Sequence, residues 1–481
     1  MRASGFVAIA TLLLLGSGCS ITPKPISERD LEARMLTDFL VIADLAPALQ
    51  GPLSLDGAFD RALEHNLDVR VDAMRQVLAE RELALSTYRM LPALVGNVGW
   101  NDRSEYQAAS SVSIITGSQS LEPSYSSEKD VLSSDLGLSW NILDFGLSYV
   151  RSQQAADKVL LAHEQQRRAA QAIARDVRVA YWRAASAGRL SERTAALQER
   201  VAKALENSRA SDRRGLAAPL IALSFQRELI GIQAELQQLR RNFSYATIEL
   251  SNLVNARPDT GFVFSSTPDL REIGATLPEM EHAAMLHRPE VREAAYHERI
   301  AAADAKAALL ELLPNVNLQI STNYNSNDLL VYNDWISWGA QVSYNLIQVL
   351  RLPRTLGKIE ADRELQYAQR LATSMAVVSQ VHVSKALYDH QREQHALSLA
   401  YLDTQTEILE RVRAEATTRS ATEQALIREE MNQLVAEAKR DLAYAELEGA
   451  YADVLVAMGI SPTGDAAVQL ASAQTSQPAG F

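Results

Sequence analysis

Leu138-Ser139-Trp140-Asn141-Ile142 and Val342-Ser343-Tyr344-Asn345-Leu346 are one pattern written twice in a single chain. In the first copy Leu136, Leu138, Trp140 and Ile142 alternate with Asp135, Gly137, Ser139 and Asn141. In the second, Ala340, Val342, Tyr344 and Leu346 alternate with Gly339, Gln341, Ser343 and Asn345. A period of two places the apolar set on one face of a strand and the polar set on the other. The strand before the second copy behaves alike: Val316, Leu318, Ile320 and Tyr324 face away from Asn315, Asn317, Gln319 and Asn323. Such strands suit a half-buried soluble sheet or the wall of a water-filled transmembrane barrel. Each is long enough to cross a bilayer, which favours the barrel. Trp100, Trp140, Trp335 and Trp338 are then expected in an aromatic belt at the membrane interfaces.

The duplication extends outward on both sides. His65-Asn66-Leu67-Asp68-Val69-Arg70 is echoed by His287-Arg288-Pro289-Glu290-Val291-Arg292, and Leu91-Pro92 by Leu313-Pro314, both 222 positions on (287 less 65, 313 less 91). The strand pattern repeats at an offset of 204 (342 less 138), which still pairs Val177 with Val381 and Val179 with Val383. The first half therefore carries 18 extra residues (222 less 204) between its two strands. These lie within Asn101 to Ser134, rich in Ser, Glu, Asp and Tyr, which reads as a polar external loop; the second connection, Ser326 to Asp334, is shorter. Residues 53–255 and 276–462 are expected to be two structural repeats, each a helix, two strands, a very long helix and a returning helix.

The long helices are the other unusual feature. From Ser148 to Asp212 there is no proline and one glycine, Gly188, and Lys358 to Arg413 lacks both. The first of these spans roughly 100 Å as a helix, too long for a compact domain. In the returning helix Leu236, Leu239, Phe243, Ala246, Leu250 and Leu253 form a heptad seam that packs helix on helix. Four strands per chain cannot close a barrel, and open sheet edges cannot stand in lipid, so a homo-oligomer is required. Three copies supply twelve strands, a size found among such barrels. The competing reading is a periplasmic coiled-coil adaptor or scaffold lipoprotein, which would lack membrane strands and carry a separate β-rich domain between its helices.

The chain of 481 residues has a formal net charge of −12, which argues against nucleic acid as its partner. At the N-terminus Arg2 precedes an apolar run from Phe6 to Leu15, then Gly16, Ser17, Gly18 and Cys19, the only cysteine. The run is too short to span a membrane and reads as a cleaved signal over residues 1–18. The small residues before Cys19 resemble a bacterial lipobox, departing from it in Gly16 where Leu is usual. That resemblance implies acylation (palmitate) at Cys19, and Ser20 after it implies sorting to the outer membrane. Residues 19–52 are then a lipidated segment, and 463–481, of low apolar content, a disordered tail. None of the eight histidines forms an HExxH pair, and His390 and His395 have the wrong helical spacing for one metal. With no Gly-rich phosphate loop either, no catalytic residue, metal site or cofactor is expected, and the chain is read as a non-enzyme.

Several segments resemble the TolC-like outer-membrane efflux proteins. Pro52-Leu53-Ser54-Leu55-Asp56-Gly57-Ala58 with Ala62-Leu63-Glu64-His65-Asn66 looks like that family's opening helix signature. Leu91-Pro92 looks like its passage from helix to strand, Ser139-Trp140-Asn141-Ile142-Leu143-Asp144-Phe145-Gly146 like its passage from strand to helix, and Arg214-Gly215-Leu216 like its periplasmic tip turn. The likeness covers Leu53 to Pro462. It implies a mostly α-helical fold with transmembrane β: a trimeric 12-stranded β-barrel, four strands per chain, continued by a long coiled-coil α-barrel. It further implies a lipid-anchored protein in the cell outer membrane that reaches into the periplasm. There its tip meets a periplasmic adaptor serving an inner-membrane transporter. The tip candidates are Gly215, Leu216, Thr417, Arg419 and Glu423; Thr417 is taken as the counterpart of Gly215, and Ile221 stands where a polar residue is common. By the resemblance Arg419 joins hydrogen bonds that close the tunnel, and Glu423 contributes to an acidic ring of three.

Overall fold

The computed structural model describes residues 23–463 except 46–48, 50, 121, 215–218, 259 and 418–421. The signal segment, Cys19, Gly215, Leu216, Arg419 and the tail beyond Thr463 lie outside the described residues. The chain divides into two units, Met1–Gln50 and Gly51–Phe481. In the first, helix α1 (Glu28–Leu45) lies within residues 19–52, the segment expected to be lipidated. Ser27 Oγ accepts from the Asp30 amide at 3.2 Å, and Glu28 and Asp30 place negative charge in the first turn.

The second unit is built twice over. Helices α2 (Leu55–His65) and α3 (Leu67–Tyr88) have 11 and 22 residues, and so do α6 (Leu277–His287) and α7 (Pro289–Leu310). The long helices α4 (Ile142–Arg213) and α8 (Gln348–Thr417) have 72 and 70 residues, and the returning helices α5 (Pro219–Leu253) and α9 (Glu423–Ala457) 35 each. The boundary after His65 and His287 breaks a helix by different chemistry in each half. Asn66 Oδ1 accepts from the amides of Asp68 and Val69 at 2.9 and 3.3 Å, capping α3, whereas α7 starts on Pro289, whose missing N–H costs nothing there.

Both returning helices end in a left-handed residue, Asn255 (φ 47°) and Gly459 (φ +77°). At Gly459 a Cβ would lie 2.5 Å from the carbonyl carbon of His287, so only glycine fits. Helix α4 ends at Arg213 and α8 at Thr417, which keeps the offset of 204 (417 less 213). At these helix ends the offset aligns Thr417 with Arg213, while Gly215, its expected counterpart, lies outside the described residues.

Four long strands form one antiparallel sheet in the order β1 (Ala93–Asp102), β4 (Asp130–Asn141), β5 (Asn315–Asn325), β6 (Asp334–Ser343). A small hairpin, β2 (Ala108–Ala109) and β3 (Ser124–Tyr125), stands in the longer connection. Its base is tightened by the stacked rings of Tyr106 and Tyr125, 4.3 Å apart. The strands are shorter than the alternation suggests, since Ile142 is the first residue of α4 and β6 stops at Ser343. At this junction the same side chain works in both halves: Asn141 Oδ1 accepts from Leu143 N at 3.0 Å, and Asn345 Oδ1 from Ile347 N at 3.1 Å.

The core lies mainly among the helices. One cluster joins α4, α5 and α9 through Leu197, Val201, Leu229, Leu236, Ile427 and Leu434. Another joins α6, α8 and α9 through Met280, Val381, Tyr388, Tyr451 and Leu455. The heptad seam is partly sunk in the first of these, with Leu236, Ala246 and Leu250 buried and Phe243 and Leu253 half-buried.

Candidate channel wall and tip

The register of the sheet assigns each side chain to a face. Leu94, Leu138, Ile320 and Trp338 form one row across all four strands, and Val95, Gly137 and Ser321 with Ser337 form the adjacent row on the opposite face. The polar face is knitted by side chains: Asn97 Nδ2 donates to Asp135 at 3.0 Å, Ser139 Oγ to Asn317 at 2.9 Å, and Asn323 Nδ2 to Ser337 Oγ at 3.0 Å. Among the described residues nothing covers the apolar face, and Val98 is 78% and Trp338 84% exposed. Trp100, Trp140 and Trp338 lie on it, but Trp335 does not. Trp335 pairs with Asn323 on the polar face, because three residues separate it from Trp338 and an odd spacing reverses the face.

Below the sheet, the long helices pack side by side. Helix α4 contacts α3, α5, α7 and α9, and α8 contacts α7 and α9. A ladder of arginines on α4 meets acids on the antiparallel α9. Arg175 meets Asp453 at 3.1 Å, Arg178 meets Glu448 at 2.6 Å, Arg189 meets Asp441 at 2.6 Å and Arg193 meets Glu437 at 2.6 Å. Arg183 with Glu446 and Arg200 with Glu430 complete it. Most rungs are partly exposed, and such pairs contribute about 0–1 kcal/mol each. Arg178–Glu448 differs, because both side chains are buried and the guanidinium also donates to the Pro462 carbonyl at 2.8 Å. Near it His395 on α8 is buried against Tyr444. Burial, then the positive charge of Arg440, pulls its pKa down, with Asp441 opposing. Burial likewise pushes the Tyr444 hydroxyl up, as does Glu448.

At the far end the described candidates are Thr417 and Glu423. Thr417 Oγ1 donates to the Ala414 carbonyl at 2.6 Å and closes α8. Glu423 opens α9 after its N-cap, Thr422, and is exposed, in a position where negative charge favours the helix terminus. The residues that join the two helix pairs here are others, which sequence reasoning misses. Glu228 on α5 accepts from Gln424 Nε2 at 2.6 Å and pairs with Arg428 at 2.6 Å on α9. No local signal marks them, since a cross-pair contact between residues 200 positions apart (428 less 228) leaves no periodic trace. Beside them Leu220 and Ile221 of α5 stand exposed. Among the described residues no group of His, Cys, Asp and Glu is arranged to hold a metal ion, and no helix is long and apolar enough to cross a membrane.

A four-stranded sheet with one polar and one apolar face, prolonged by duplicated long helices, defines a channel-tunnel fold of the TolC-like type. The chain is similar to the solved outer-membrane channel CmeC of Campylobacter jejuni, with a TM-score of 0.68 and 13% identity over 88% of this chain and 90% of that one. It is also similar to the open state of the MtrE channel of Neisseria gonorrhoeae (TM-score 0.63, 17% identity, 85% and 89% covered). VceC, an outer-membrane protein of Vibrio cholerae, gives a TM-score of 0.61 at 15% identity, with 85% and 96% covered. No protein-family profile matches the sequence, and no curated protein does.

Proposed function

We propose that this chain is the outer-membrane channel-tunnel of a tripartite efflux or type I secretion system. The observation that carries the proposal is the four-stranded sheet, whose edges β1 and β6 are unpaired and whose apolar face is bare among the described residues. Unpaired backbone groups cost several kcal/mol each in hydrocarbon, so the sheet is complete only when β6 of one copy meets β1 of the next. Such a head-to-tail contact closes as a ring, and three copies give a twelve-stranded barrel. The homotrimer then encloses a continuous aqueous duct through the outer membrane and the periplasm. Conduction is passive; an inner-membrane transporter loads the cargo and supplies the energy.

In this reading Cys19 is acylated and inserts into outer-membrane lipid, each buried methylene contributing about 0.8 kcal/mol. The tip carries Gly215, Leu216, Thr417, Arg419 and Glu423 as gate residues, and the exposed Leu220 and Ile221 suit a periplasmic adaptor. Opening separates the α8–α9 pair from α4–α5, which requires the Glu228–Arg428 contact and the lower rungs of the ladder to part. The chain performs no catalysis and uses no cofactor. Single-channel recording of the purified protein in planar bilayers tests this directly: discrete conductance steps are expected. A protein that is trimeric and correctly folded yet gives none would sink the proposal.

A further inference from the structure

The polar face of the sheet has a charge pattern with a consequence for what passes along it. Of the side chains that β1, β4, β5 and β6 place on this face, Asp135 alone is ionisable; its neighbours are mostly Asn, Gln, Ser and Gly, with Trp335 at one end. Asp135 sits in the middle of β4, half-exposed, held by the Asn97 amide at 3.0 Å. The two connections beyond the strands extend the same sign. Residues 103–129 and 326–333, between the strands, hold four acidic side chains, Glu105, Glu122, Glu128 and Asp328, against two basic ones, Arg103 and Lys129. Both cations are engaged locally, Arg103 with Gln107, and Lys129 over the Tyr106 ring at 4.5 Å and with the Ser104 carbonyl at 3.1 Å.

We infer that Asp135 is the charge-selecting residue of the outer duct, which passes neutral and cationic solutes in preference to polyanions. The inference rests on the channel reading above. In a ring of three chains the barrel carries one carboxylate per subunit at a single level, beneath an acidic mouth, in a wall otherwise uncharged. Neutral amides and hydroxyls hydrate any solute without binding it, so the fixed charge decides which ions dwell there. Its reach is set by screening, about 10 Å at 0.1 M salt and about 30 Å at 0.01 M. Asp135 therefore biases cation entry most strongly in dilute solution.

The test uses the full-length protein in planar bilayers under a KCl gradient at low ionic strength. Its long helical body is expected to keep insertions in one orientation. Wild type is expected to be cation-selective, Asp135→Asn less so, and Asp135→Lys shifted toward anions, all at similar conductance. Hexaamminecobalt(III) added on the external side is expected to block wild type, and Asp135→Asn to raise the half-blocking concentration about tenfold, as three carboxylates near a trivalent ion imply. Block from the periplasmic side is expected to be unchanged. Conducting Asp135→Asn channels with the reversal potential and external block of the wild type would overturn the inference. Absence of any conductance in the wild type would instead overturn the channel reading itself.

Discussion

The helical mid-body and the strand sheet solve opposite problems within one chain. In the mid-body Phe59, Tyr181, Leu250, Leu455 and Met458 are all less than 2% exposed, so one copy buries its own apolar surface. In the sheet Val98, Ile336 and Trp338 stand open, and every residue of β1 is exposed. Burying a large apolar side chain contributes about 1.5–3 kcal/mol, so the mid-body has a core within one copy and the sheet has none. The difference separates the part of the chain that packs on itself from the part whose apolar face stands open.

The most severe way to break that contrast is at Gly459. Gly459→Val puts branched carbons against the His287 backbone at positive φ, and is expected to cost more than about 4 kcal/mol and abolish folded protein, read as expression yield and thermal unfolding. Next comes the buried ion pair: Arg178→Ala strands Glu448 and is expected to cost about 3–5 kcal/mol in chemical denaturation, with Arg178→Met/Glu448→Leu regaining most of it. On the sheet the same class of change has a different readout. Trp338→Lys puts a charge on the apolar face proposed to meet lipid, where it would cost about 2–4 kcal/mol, and is expected to block membrane assembly while the helical circular dichroism of the detergent-solubilised chain is kept.

Acidification acts on the mid-body more gently. His287 and His395 are both held below the ordinary histidine value, chiefly by burial, so the unfolded chain binds the protons more readily than the folded one. Stability is therefore complete above about pH 6.5 and is lost as pH falls below it. A pH series of melting temperatures checks this, and His287→Gln/His395→Gln is expected to flatten the slope. Smallest of all, Arg193→Ala on an exposed rung is expected to cost less than about 1 kcal/mol, and less still at high salt.

Much of this is legible in the chain because its signals are local and periodic. The alternation around Trp140 and Val342 marks two strands, the proline-free runs mark α4 and α8, and the constant offset of 204 marks the duplication. The departures also have local causes. Helix α1 has Leu31, Met35, Phe39 and Ile42 at helical spacing, a signal left unused when the segment is read only as a lipidated leader, and Trp335 falls on the polar face by parity alone, three positions from Trp338. The ladder from Arg175 to Arg200 and the Glu228–Arg428 contact are not legible, since each joins residues more than 190 positions apart.

By itself the sequence determined the periods, and with them which segments are strands, which are long helices and which faces are apolar, because side-chain direction follows residue spacing. Only the tertiary structure decided which strand lies beside which, that β1 and β6 are the free edges, and that the arginines of α4 meet the acids of α9. Register and helix pairing depend on contacts between distant residues, whose free energy is set by the packed arrangement as a whole. So the repeated Leu138 and Val342 stretches announce a two-faced sheet, while the order β1-β4-β5-β6 leaves β1 and β6 as its edges.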